Sequence, residues 1–422
     1  MKKVFHLIIL TAFFVQSVCP AWALNQRQPG ESRILSVQEM KSVKGGNQSP
    51  ADGSAKQGEC STAQRIPCEP NGKDGGDSQQ PTDPVMLTGG KFYLPYVDVE
   101  IPGLGRETGN NLRFNRSYSS QSSYRGVLGT GWVTILDIAL IDFGGGGFFL
   151  RDWDGSVFHF TYDETEDVFR DGEMTLVDSG SEWVLTKVHG TKYVFEGPNQ
   201  KLLYIEDVNG NRLTFEYFQY DLGNPDSTHV KRIVDSSGQF LSFEQQYEAE
   251  VSVFPDSVLI THIFRLRSMS DHTGRTWQYQ WDQEDKHLMS VIDPLGRIMS
   301  YQYAQQDPDD PILVDTNNIT AVTDFNGNAT LYTYDTQTDR VITMTSADNT
   351  IKKFEFNSAA GTSLDTSTMT DENGREWKYE YTLRGLTTAI IDPRNHTKQY
   401  EYDPDSNLMI VSRDELNRQT EY

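Results

Sequence analysis

The chain has 422 residues, enough for two or three ordinary domains or one large repeat array. Its formal charge of −23 excludes a basic nucleic-acid footprint, and an anionic membrane surface would repel it. Hydrophobic residues are only 36% of the chain while aromatics reach 11%, a balance that suits many short strands and turns better than a helical core.

Residues 1–23, MKKVFHLIILTAFFVQSVCPAWA, read as a secretory signal. Lys2 and Lys3 supply the positive start, Val4 to Val18 the apolar run, and Ala21-Trp22-Ala23 a small-residue cleavage site ending at Ala23. The run is short for a membrane span, and no later segment is long and apolar enough to be one, so the mature chain is expected to be secreted or held at the cell surface after passing through the periplasm. Residues 24–82 are rich in Gly, Ser, Gln, Pro and Asn and are read as a low-complexity linker. Within it, LSVQEMKSVKGG at 35–46 carries a capping box (Ser36 and Glu39) and reads either as a short helix or as a double-glycine leader cut after Gly46. Cys60 and Cys68 form a disulfide in an oxidising compartment or remain two free thiols in the linker.

The composition changes at Asp83. In the block 83–145, LRFNRSYSS alternates apolar and polar positions and GVLGTGWVTILDIALI opens another strand-like run, both bounded by glycine turns. From 146 to 422 one phrase recurs, as in VTDFNGNATLYTYD and IIDPRNHTKQYEYD. It is anchored on a turn Gly or Asn at Gly155, Gly210, Gly238, Gly274, Gly296, Gly327, Asn349, Gly374, Asn395 and Asn417. An aromatic follows every anchor at plus five: Phe160, Phe215, Phe243, Tyr279, Tyr301, Tyr332, Phe354, Tyr379, Tyr400 and Tyr422. At plus seven stand Tyr162, Tyr217, Gln245, Trp281, Tyr303, Tyr334, Phe356, Tyr381 and Tyr402, where Gln245 alone breaks the aromatic series.

Each copy reads as a β-hairpin. An Asp three residues before the anchor (Asp207, Asp235, Asp271, Asp293, Asp324, Asp371) opens a type I turn, and Gly or Asn takes the left-handed position of a three-residue loop. The plus-five and plus-seven residues share one face of the return strand. A lone hairpin is marginal in water, so the units must stack. The expected fold is all-β: repeated antiparallel hairpins in a spiral ribbon or open shell. An open ribbon leaves strand edges unpaired, and poor solubility is expected of this segment alone.

These residues carry a family resemblance. The D-x-x-G-x-x-x-x-aromatic-x-Tyr units resemble the YD repeats of the Rhs family, which also occur in teneurins and insecticidal toxin-complex subunits. The DPV, TGG, RSYSS and GTGW motifs of the preceding block resemble the segment before the repeats in bacterial Rhs proteins. The resemblance implies a β-ribbon winding into a shell that encloses or delivers a C-terminal polymorphic toxin in competition between cells. A signal peptide stands here where such proteins carry a spike domain, and the chain reads as the front portion of a longer protein or a truncated relic.

No catalytic constellation emerges. The histidines are scattered without metal-ligand spacing, and G-x-S-x-G and P-loop motifs are absent. The Asp/Asn-rich turns at 207–211 and 324–328 echo calcium loops but lack the sixth-position Gly and the later Glu. The chain is therefore read as a structural, non-enzymatic protein without cofactor, its partner being a C-terminal toxin or the remainder of a longer chain. The alternative is a module for adhesion or glycan binding at the cell surface, with Tyr and Trp rings stacking on sugars. A shell buries the plus-five and plus-seven rings, whereas a glycan binder leaves a row of them exposed.

Overall fold

The computed structural model describes residues 84–422 apart from 104–110, 144–145, 197–200, 219–228, 255–256, 285, 307–314, 359–363, 383–384 and 405–407. The signal with Ala23, the linker 24–82 and the pair Cys60 and Cys68 lie outside the described residues.

The hairpin is built from its turn outward. At Asp293 the backbone N–H donates to the Arg297 carbonyl at 3.0 Å, and the Gly296 N–H donates to the Asp293 carbonyl at 2.9 Å. The same two bonds close the turns that begin at Asp207, Asp235, Asp271, Asp324 and Asp371. Gly296 takes φ of 78°, and Asn349, Asn395 and Asn417 take 66°, 63° and 60° at the equivalent position. Side chains other than Asn and Asp rarely adopt that conformation, which is why the anchor is restricted to Gly and Asn.

Hairpins stack edge to edge in strict chain order. The long sheet has, among the described residues, 25 antiparallel strands, from Ala139–Asp142 to Gln419–Glu421, each hydrogen-bonded to its neighbours in sequence. Among the described residues no ladder pairs the first of these strands with the last, so the sheet is an open ribbon. It takes its first strand from within the block 83–145. One hairpin is longer than the rest: Phe240–Phe254 and Ser257–Asp271 have 15 residues each, and the flanking strands pair only with their base.

The N-terminal block forms its own small sheet. Strand β1 (Tyr93–Ile101) pairs with β2 (Leu112–Ser119), and β2 pairs with Trp132–Thr134. A bulge at Asp98 shifts the register between Val97 and Val99, which brings the Asp98 carboxylate to the same side of the sheet as Arg116. On β2, Leu112, Phe114, Arg116 and Tyr118 are all 0% exposed. They are the centre of the core, and the face they meet is the ring-bearing face of the long ribbon. Burying rings of this size is worth roughly 1.5–3 kcal/mol each, so the block supplies much of the apolar burial that a free hairpin lacks.

Candidate functional site: repeat turns, rings and the docked block

The turn Asp does more than open the loop. Asp293 Oδ1 accepts from the Leu295 and Arg297 N–H groups at 2.9 Å each, and Oδ2 accepts from Arg297 Nε at 2.7 Å. Asp271 and Asp371 make the same set with Arg275 and Arg375, and Asp207 and Asp324 substitute Asn211 and Asn328 for the Arg. Asp235 accepts from the Ser237 and Gln239 N–H groups. Burial pulls the Asp293 and Asp371 carboxyls upward, but the backbone N–H and guanidinium bonds outweigh it and hold both below the usual carboxylate range. At Asp207, Asp271, Asp293, Asp324 and Asp371 both carboxylate oxygens are thus engaged in holding the turn.

Plus-five and plus-seven residues, alike in sequence, do different work. The plus-five rings go inward. Phe160, Phe215, Phe243, Tyr279, Tyr301, Tyr332 and Phe354 are no more than 6% exposed. Phe114 meets Phe243 and Tyr279 with ring centroids 5.6 and 6.2 Å apart, Trp132 meets Tyr301 at 5.1 Å, and Phe92 meets Tyr332 at 4.3 Å. Further along the ribbon Tyr379 and Tyr400 are only half-buried, and Tyr422 is 63% exposed.

Most plus-seven residues are latches; the first, Tyr162, instead donates its hydroxyl to Asp167 Oδ1, and its ladder runs without a register shift. Tyr217, Tyr303, Tyr334 and Tyr402 each donate their hydroxyl to the carbonyl 15 residues earlier: Leu202, Leu288, Ile319 and Thr387, at 2.7 to 3.0 Å. Trp281 uses its indole N–H on the Leu266 carbonyl at 3.0 Å. Gln245 donates its amide to the Val230 carbonyl at 2.8 Å, across the same 15 residues. The one break in the aromatic series therefore keeps the role, because where the ladder shifts register the position calls for a long donor rather than a ring. At Tyr217, Gln245, Trp281, Tyr303, Tyr334, Tyr381 and Tyr402 the ladder to the following strand shifts register immediately before the residue. Phe356 has no donor, and its ladder runs without a shift. On the strand that Phe356 meets, Ser367 bonds the Tyr381 hydroxyl at 2.7 Å instead of a carbonyl doing so. A bulge disrupts the ladder locally, and the donor of the next unit restores a hydrogen bond at that point.

Between block and ribbon lies a buried polar cluster. Arg116 Nε donates to both Asp98 oxygens at 3.0 Å, and both side chains are 0% exposed. Its Nη1 donates to the Tyr301 hydroxyl, and its Nη2 lies 3.3 Å from Met299 Sδ. Asp98 Oδ2 also accepts from the Tyr279 hydroxyl at 2.9 Å. The guanidinium is enclosed by the rings of Tyr96, Trp132 and Tyr301, 4.7 to 5.6 Å from their centroids. Burial pushes the Tyr301 phenol up to about 12, against the pull of Arg116, and raises the Asp98 carboxyl despite its partners. The cluster couples two repeat units to the block.

Elsewhere His287 Nδ1 pairs with Asp282 Oδ2 at 2.8 Å, and its ring lies against Tyr303. Asp137 accepts from the Val127 and Thr134 N–H groups and the Tyr124 hydroxyl, folding the loop that carries GTGW. Gly126 is required there, since a Cβ would sit 2.5 Å from the Trp132 carbonyl oxygen and 2.7 Å from Asp137 Oδ1. Among the described residues no three His, Cys, Asp or Glu side chains gather as a metal site, and no helix is long and apolar enough to cross a membrane.

Residues 82–160 match the model of a domain of unknown function, DUF6531. That match covers the block and the first hairpin. No curated protein matches the chain. Among solved structures, similarity is found to the Photorhabdus luminescens Tc holotoxin pore carrying a TccC3 variant, at 12% identity and a TM-score of 0.28 over 78% of this chain and 20% of that one. The TcdB2–TccC3–Cdc42 complex matches at 12% identity and a TM-score of 0.28, and TcdB2–TccC3 at 13% and 0.27. Both of these cover 71% of this chain and 17% of the other. This chain thus spans about a fifth or less of the proteins it matches.

Proposed function

We propose that this chain is an exported structural repeat protein, part of an Rhs-type shell that encloses or delivers a C-terminal toxin in competition between cells. It works without catalysis or cofactor. The observation that carries the reading is the fate of the repeat's chemistry. Turn carboxylates and most plus-seven donors are engaged within the ribbon, and the plus-five rings from Phe160 to Phe354 are buried, so the phrase is a building unit. A wall of this kind serves what it surrounds or what is attached to it. The signal at 1–23 supports export, and the order of block and repeats supports the Rhs assignment. Glycan binding keeps support where rings are half-buried or exposed: Tyr379, Tyr400 and Tyr422 at the last hairpins, and the plus-seven rings Tyr217, Trp281, Tyr334 and Tyr402.

The test is a co-culture. Deleting the gene from its host should relieve growth inhibition of a susceptible neighbouring strain, and restoring the full reading frame should reinstate it. Equal survival of the neighbour with and without the gene would contradict delivery. Binding of the purified chain to a glycan array, lost on Tyr400→Ala, would favour the adhesion reading instead.

A further inference from the structure

The domain that spans 82–160 has no assigned role, and its contacts suggest one that does not depend on the toxin reading. Along the ribbon, each register shift leaves a strand residue whose amide lies outside the regular ladder. Three of these amides donate to the block: Leu266 N–H to the Val127 carbonyl at 3.0 Å, Ile319 N–H to the Tyr118 hydroxyl at 3.3 Å, and Val341 N–H to the Gly90 carbonyl at 2.8 Å. Leu266, Ile319 and Val341 are the partners of Gln245, Tyr303 and Tyr334 at the shifts themselves. The block therefore meets the line of bulges from one side, while on Leu266 and Ile319 the plus-seven donors of the next units, Trp281 and Tyr334, meet the carbonyls of the same residues.

We propose that the block between Val85 and Asp137 is a register-setting insert: it reads the bulge line and the plus-five hydroxyls, and so fixes which hairpins stand opposite it. The plus-five series explains how one alignment is chosen. Running up the ribbon it goes Phe215, Phe243, Tyr279, Tyr301, Tyr332, Phe354. Asp98 takes the Tyr279 hydroxyl and Arg116 the Tyr301 hydroxyl, while Phe114, which needs none, packs on Phe243. A slip of one unit toward the N-terminus would set Phe243 against Asp98, and a slip the other way would put the Tyr279 hydroxyl against the apolar Phe114. Either slip misplaces a group in a fully buried cluster. A buried ion pair adds little net stability because desolvation offsets the attraction, but a wrong alignment that leaves it incompletely bonded is strongly penalised. The Arg116–Asp98 pair thus acts through specificity.

Hydrogen exchange followed by mass spectrometry on the full chain tests this. Arg116→Met should lower amide protection by about tenfold or more on the strands facing the block, 276–303 and 319–345, although they lie far away in sequence. Protection at 387–413 should stay at the wild-type level. Tyr118→Phe, a milder change that keeps the ring, should show the same loss confined to the neighbourhood of Ile319. It serves as the test if Arg116→Met does not fold. Loss of protection limited to 85–137 would overturn the proposal, as would an even loss from 85 to 413. Wild-type protection at Ile319 in Tyr118→Phe would overturn it too.

Discussion

A hydroxyl decides the behaviour of Tyr303. It donates to the Leu288 carbonyl and accepts from Trp132 Nε1 at 3.1 Å. Tyr303→Phe removes one oxygen and leaves two buried groups without their partner, a loss of about 1–3 kcal/mol. Gln245→Leu should lose a similar amount at the Val230 carbonyl, and Gln245→Tyr should recover it. Urea midpoints read by tryptophan fluorescence would show the order, and a Tyr303→Phe midpoint equal to wild type would deny the latch. The turn carboxyls carry a second expectation at this scale. Asp293, Asp324 and Asp371 titrate below their unfolded value of about 3.9, with burial opposing and the turn hydrogen bonds prevailing. A depressed folded pKa gives stability that is fully present above the unfolded value and is lost as pH falls through the folded one. Asp98, Asp137 and Asp339, raised by burial, act in the opposite sense, but they are fewer than the lowered carboxyls at Asp271, Asp293, Asp324, Asp371, Asp392 and Asp414. Urea midpoints should hold from pH 7 to about 5 and fall below about 4. A flat profile down to pH 3 would show that the turns do not depend on ionised Asp.

At the scale of the hairpin, packing grades stability along the ribbon. The central return strands Thr276–Trp281 and Ile298–Tyr303 bury their plus-five rings against the block, whereas Thr397–Tyr402 and Gln419–Glu421 leave theirs half-buried or exposed. Limited proteolysis should therefore cut first around residues 397–421 and last within 276–303. Uniform cutting at every turn would contradict the gradient. The hairpin itself was legible in the sequence because its chemistry is local: Asp, anchor and alternating rings all lie within one short stretch. The division of labour between plus five and plus seven was not. Both positions are aromatic on one face, and only a register shift between them sends one ring to the core and the other to a carbonyl 15 residues back. Gln245 was the available signal, as a residue that keeps a donor while losing the ring.

In the molecule as a whole, the block and the ribbon are one packing problem. Arg116 and Tyr301 are separated by 185 residues, and Tyr118 and Ile319 by 201. No periodicity or turn rule connects positions so far apart, so the all-β class and the repeat could be read in advance while the docking of the block could not. That docking turns a row of aromatics into a core rather than a binding face. Hydroxyl-radical footprinting of the full chain, read residue by residue by mass spectrometry, measures this difference directly. Phe160, Phe215, Phe243, Tyr279, Tyr301, Tyr332 and Phe354 should resist oxidation, while Tyr422 and, more weakly, Tyr379 and Tyr400 should be modified. Oxidation of comparable extent at every plus-five ring would mean an exposed aromatic row, and would contradict the account of the repeat as a building unit.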